Sequence, residues 1–102
     1  MMCRMLVAAL ALGVLSAANA ALAQDAAQAA AGERAFNEFC ADCHGQGLNA
    51  KVGVPDLRKL RPNQRQYFNT SVLDGRAPEM PSWRGIVSEE QLEQIWAYIQ
   101  AN

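Results

Sequence analysis

Two cysteines and a histidine lie close together in this chain, as Cys40, Cys43 and His44 in the pattern C-x-x-C-H. Residues three apart on a helical turn point the same way, so both thiols can reach the two vinyl groups on one edge of a porphyrin. The histidine that follows lies where a neutral imidazole nitrogen can coordinate the iron. The spacing therefore predicts one haem c, attached covalently through Cys40 and Cys43, with His44 as an iron ligand.

Three other uses of the motif stay open at this point. A structural zinc site needs four ligands, commonly Cys and His, but beyond residue 23 the chain has only these three such residues. A thioredoxin-like thiol pair belongs beside a β-α-β pattern, and no segment shows convincing strand alternation. The third alternative is a plain disulfide between Cys40 and Cys43.

Met80 is the candidate for the second axial ligand. It is the only methionine beyond residue 23, and Pro78 and Pro81 flank it in a loop. Prolines restrict the loop, so a thioether held there loses little entropy on binding iron. The alternative is a methionine that fills the core. A lysine amine, from Lys51 or Lys59, or a water molecule would compete for the same position.

Residues 1–23 have the layout of a secretory signal peptide. Arg4 precedes an apolar run over residues 6–15, and two A-x-A patterns follow, so we expect cleavage after Ala23 or, second, after Ala20. A buried N-terminal helix is the alternative. Export predicts a periplasmic protein, and no apolar stretch is long enough to span a bilayer and remain as a membrane helix.

The composition of residues 24–102 limits the folds and functions that this part of the chain can have. Residues 24–31 are predicted to be a frayed, flexible lead-in, and residues 32–102 a single domain that contains all the aromatic residues. A net charge of -1 gives no electrostatic support for binding nucleic acid. A chain this short seldom builds a sufficient core alone, so we expect a cofactor to fill its centre.

Apolar periodicity predicts an all-α fold with three main helices and ordered loops. Helices are expected over residues 29–42 and 64–73. The last helix begins after Ser88, because Gln91 completes a capping box with it. Residues 76–85, which include two prolines, are predicted to form an ordered non-helical loop.

Several segments accompany the haem motif along the chain: Gly32 and Phe36, Gly45, Pro55-Asp56-Leu57, Met80-Pro81 and Ala97-Tyr98-Ile99. In these features the chain resembles a small bacterial monohaem class I cytochrome c over residues 31–101. The resemblance implies the cytochrome c fold, wrapped around one haem, and a monomeric single-electron carrier that is not an enzyme. It also implies that the Pro55 carbonyl accepts the Nδ1–H of His44. The first and last helices should cross at a close contact, where Gly32 and Phe36 meet Ile95 and Tyr98.

Two functional alternatives stand beside the electron carrier. One is a gas-binding or peroxidatic haem protein with an open iron position, and the other a haem-free C-x-x-C thiol oxidoreductase. The expected redox partners are a periplasmic quinoprotein dehydrogenase or a terminal oxidase. Trp83 and Arg76 are candidates for binding the haem propionates. Four basic residues either dock an acidic partner or form a solvated face: Arg58, Lys59, Arg61 and Arg65.

Overall fold

The structure, a computed structural model, describes the backbone from Met2 to Asn102 and side chains from Ser16 onward. Four α-helices follow one another: α1 (Met2–Phe39), α2 (Ala41–His44), α3 (Arg65–Asp74) and α4 (Glu89–Gln100). Short 3₁₀ turns lie at Gln46–Leu48, Leu57–Lys59 and Pro62–Gln64. No β-strand occurs over 2–102, apart from an isolated bridge between Arg76 and Met80. The predicted all-α fold is confirmed.

The core is built where α1 crosses α4. A Cβ atom on Gly32 would overlap the backbone carbonyl of Gln94 and lie 2.9 Å from Cβ of Tyr98, so only glycine allows this approach. One turn further along α1, Phe36 is fully buried with its ring centre 5.5 Å from that of Tyr98. Ile95 of α4 is also buried. The close contact implied by the resemblance therefore forms at the expected residues.

Helix α4 begins as the sequence predicts. The Ser88 hydroxyl accepts a hydrogen bond from the Gln91 N–H, and the Gln91 side-chain oxygen accepts one from the Ser88 N–H, both at 3.0 Å. This capping box satisfies backbone donors that the first turn would otherwise leave unpaired. The apolar stripe of α4 is buried, and Trp96 packs against Phe68 of α3 with ring centres 5.2 Å apart and ring planes tilted by 39°.

The first helix differs from its predicted bounds at both ends. Residues 24–31, predicted to be a frayed lead-in, are helical within α1, because the alanines that dominate this segment are the strongest helix formers. The helix predicted over 29–42 is interrupted at Cys40, whose φ of −116° departs from helical geometry, and α2 resumes at Ala41. Within the predicted signal peptide, the side chains of residues 1–15 lie outside the described part of the chain.

Candidate functional site

A cleft of about 730 Å³ opens between the helices and the loops. Its volume lies in the range of small-molecule and cofactor sites. The four residues predicted to bind haem or iron all line this cleft: Cys40, Cys43, His44 and Met80. Most other lining residues are apolar and come from every element around it: Phe36, Phe39, Leu57, Leu60, Phe68, Val72, Trp83, Ile95 and Ile99.

The two thiols and the imidazole share one helical turn. The Cys43 and His44 N–H groups both donate to the Cys40 carbonyl, at 3.2 and 2.9 Å, and Gly45 closes the turn on Ala41 at 2.8 Å. Both cysteines are free thiols, so the structure does not contain the plain disulfide considered above. Among the described residues no group of three or more His, Cys, Asp or Glu side chains could hold a metal ion. Zinc therefore lacks the donors that it needs.

Burial makes the Cys40 thiol a weaker acid than an ordinary cysteine. It raises the pKa of the Cys40 thiol to about 11, with a smaller contribution from the nearby Cys43. Thiol–disulfide exchange requires a thiolate, and redox-active C-x-x-C pairs have a cysteine pKa lowered below the usual value. The environment of Cys40 therefore works against a thiol oxidoreductase.

The surroundings of His44 favour the form of its side chain that coordinates a metal. Burial lowers the pKa of its imidazole, which favours the neutral form that a metal requires. Its Nδ1 atom is buried without a hydrogen-bond partner, so the predicted bond to the Pro55 carbonyl is not formed, although Pro55 lines the same cleft. Two thiols, a neutral imidazole and an apolar cleft are the donor set and surroundings that a covalently bound haem needs, so these residues fit the group.

Met80 sits in a loop held at both ends. The Arg76 N–H donates to the Met80 carbonyl at 2.8 Å, and the Met80 N–H donates to the Arg76 carbonyl at 3.0 Å. The Trp83 N–H then donates to the Val72 carbonyl of α3 at 2.9 Å. Gly75 allows this return, because its φ is +74° and a Cβ there would lie 2.7 Å from the Met80 carbonyl oxygen. The predicted ordered, non-helical loop is confirmed.

The competing amines have different positions. Lys59 lines the cleft, whereas Lys51 does not, and its ammonium donates to the Asp42 carbonyl at 2.5 Å. Lys59 is therefore the amine that could compete with Met80 for the sixth iron position.

The four basic residues between positions 58 and 65 do not have the same surroundings. Arg58 pairs with Asp56 at 3.0 Å and Arg65 approaches Glu93 at 3.7 Å, so the four charges do not form one free basic patch.

The two candidates for the propionates both line the cleft, and each already has a partner. The Trp83 ring packs edge-on against Phe39, with ring centres 5.9 Å apart. Arg76 donates to the Ser71 hydroxyl at 3.2 Å and lies over the Tyr67 ring. Sequence reasoning missed Tyr67 and Ser71. Their spacing of four residues on α3 was the available signal, because such residues share a helix face.

Comparison with known proteins identifies the family. The family described as "Cytochrome C oxidase, cbb3-type, subunit III" matches residues 27–99. This chain belongs to the cytochrome c family. Its cofactor is haem c, which members of this family bind covalently.

Three relatives illustrate the range. The chain is 38% identical over 80 residues to quinohemoprotein alcohol dehydrogenase ADH-IIG of Pseudomonas putida, covering 78% of this chain but 11% of that protein. It is 35% identical over 78 residues to cytochrome c550 of Pseudomonas aeruginosa, covering 69% and 52% of the two chains. It is 32% identical over 78 residues to cytochrome c6 of Leptolyngbya boryana, covering 72% of this chain and 91% of that protein.

No solved structure matches the chain significantly. Within the part of the chain that the structure describes, no helix combines the length and apolar character needed to cross a membrane.

Proposed function

We propose that this cytochrome c is a periplasmic single-electron carrier rather than an enzyme. Cys40 and Cys43 would hold haem c through thioethers, and His44 and Met80 would be its iron ligands. The observation that carries the proposal is the cleft itself, in which both thiols, a neutral imidazole and a restrained thioether loop meet. The bound haem iron supplies the one-electron redox chemistry.

Residues of the chain set the reduction potential of the iron, restrict the movement of its ligands and exclude water. His44 offers a neutral nitrogen, and Met80 offers a soft donor that raises the reduction potential relative to two histidines. The paired backbones of Arg76 and Met80 restrict movement of the loop, so little rearrangement accompanies electron transfer. The apolar lining keeps water from the iron.

The same restraint favours the carrier over a gas-binding or peroxidatic haem protein. Such a protein needs an open iron position. Here the Met80 loop is tied to α3 by the hydrogen bond between Trp83 and Val72 and closed on itself at Arg76. This supports a closed site.

For the redox partners, the similarity to a portion of a quinohemoprotein alcohol dehydrogenase favours a quinoprotein dehydrogenase as electron donor. The matching oxidase-subunit family makes a terminal oxidase the expected acceptor. Stopped-flow reduction by a purified quinoprotein alcohol dehydrogenase, and oxidation by a cbb3-type oxidase, test the two directions separately. Cell fractionation with N-terminal sequencing tests export and the cut after Ala23 or Ala20.

Ligation by Met80 is tested with Met80→Ala. A methionine ligand gives a weak charge-transfer band at the red end of the ferric spectrum, so the variant should lose this band. Its reduction potential should fall, and its ferrous form should bind carbon monoxide readily. Leu60→Ala is the matched control, since it also removes a half-buried apolar side chain from the cleft but no donor atom.

If Met80→Ala keeps the band and the potential of the wild type, the iron site is wrong and a ligand-binding haem protein becomes the better explanation. A second variant, Met80→Ala with Lys59→Ala, separates an open position from capture by the cleft amine. Carbon monoxide should bind the double variant at least as readily as the single one.

A further inference from the structure

One side chain, Arg76, ties the loop of Met80 to helix α3. The backbones of Arg76 and Met80 are joined by two hydrogen bonds, of 2.8 and 3.0 Å, so the two residues move together. The Arg76 guanidinium donates to the Ser71 hydroxyl at 3.2 Å, and its central carbon lies 4.8 Å from the centre of the Tyr67 ring. Ser71 and Tyr67 are four residues apart on α3 and share one face.

The guanidinium is directed at α3 rather than at a surface carboxylate. Among the side chains that the structure describes, no Asp or Glu lies within ion-pair distance of Arg76. Ser71 is buried, at 8% exposure, so its hydroxyl needs a partner in the protein. The hydrogen bond from a charged donor and the contact with an aromatic face are both stronger than their neutral counterparts.

We infer that Arg76 is a positioning residue that clamps the Met80 loop to α3 and thereby keeps external ligands from the sixth iron position. The inference rests on the proposed ligation by Met80. An external ligand must compete with the closed loop, so its apparent affinity falls as the closed population rises. Loosening the clamp therefore raises that affinity without adding any contact to the incoming ligand.

Imidazole binding to the ferric holoprotein, followed through the shift of the main haem absorption band so that variants with and without a methionine ligand can be compared, measures the clamp. Arg76→Gln should bind imidazole about tenfold more tightly than the wild type, equivalent to about 1.4 kcal/mol. Ser71→Ala should shift the affinity in the same direction. Arg76→Lys should fall between, because lysine keeps the charge but not the planar fork. Arg34→Gln, an exposed arginine on α1, is the control and should not change the affinity.

The Met80→Ala background separates a clamp from general loosening. There the loop supplies no ligand, so adding Arg76→Gln should leave imidazole affinity unchanged. An equal gain in both backgrounds, or no gain in the wild-type background, overturns the inference. A different result would refute the proposed ligation by Met80 instead. In that case the wild type and Met80→Ala would bind imidazole equally, and neither would show the red-end charge-transfer band.

Discussion

Gly32 gives the sharpest test of the helix crossing that supports the site. In Gly32→Ala, two effects of opposite sign compete. Alanine favours a helix interior over glycine by about 1 kcal/mol. The added methyl group, however, would overlap the Gln94 backbone carbonyl and lie 2.9 Å from Cβ of Tyr98. A backbone carbonyl inside a helix cannot swing aside as a flexible side chain does, so α1 and α4 must separate.

The steric effect should win. Overpacking a well-packed core costs about 1–3 kcal/mol, and separation also weakens the ring contact of Phe36 with Tyr98, worth about 0.5–1.5 kcal/mol. After subtraction of the gain in helix propensity, the free energy of unfolding should fall by about 2 kcal/mol. For a domain of this size that lowers the melting temperature by roughly 8–16 °C.

The assay is thermal and guanidinium unfolding of the holoprotein by circular dichroism. Ala30→Gly, at an exposed position of the same helix, is the matched control and measures helix propensity alone. We expect it to cost about 1 kcal/mol. If Gly32→Ala is instead stabilised by a similar amount, the two helices do not approach as described and the reasoning is refuted.

Two predictions concern the haem itself. Cys40→Ser should keep one thioether, through Cys43, and lower the yield of holoprotein, whereas the wild type should retain haem staining after denaturing electrophoresis. Haem that migrates away from the wild-type polypeptide contradicts covalent attachment. Protein expressed without haem should show no cooperative thermal transition in its near-ultraviolet circular dichroism. Half-buried apolar side chains line the cleft, and the chain is too short for a self-sufficient core. A native-like transition would contradict this prediction.

Local signals predicted much of this fold. The Ser88 capping box and the apolar stripe of α4 depend on neighbours within one or two turns, so they can be predicted directly from the sequence. The haem motif is equally local. The interruption at Cys40 was not predictable in this way, because the apolar periodicity of residues 29–42 continues through it.

The contacts that sequence reasoning missed join distant or irregular segments. The sequence predicts only that the second helix ends near residue 73, but Gly75 also allows the Met80 carbonyl oxygen to lie 2.7 Å from where a Cβ atom would be. The hydrogen bond from the Arg76 guanidinium back to Ser71 was not predicted either. Both contacts were missed for one reason: the path of a loop after a glycine is set by tertiary contacts and not by periodicity.

The last prediction concerns His44 and the Pro55 carbonyl. A buried ring nitrogen without a hydrogen-bond partner lowers the stability of a fold by about 1–3 kcal/mol. The Nδ1 atom of His44 is buried and has no partner, although Pro55 lines the same cleft. Proline restricts its own backbone, so its carbonyl is presented by a stiff loop, and a bonded Nδ1–H orients the ring of a ligating histidine. We therefore expect the bond to form in the ferrous holoprotein. Nitrogen-15 NMR should show an Nδ1–H that exchanges slowly with water; rapid exchange would mean that another contact orients the ring.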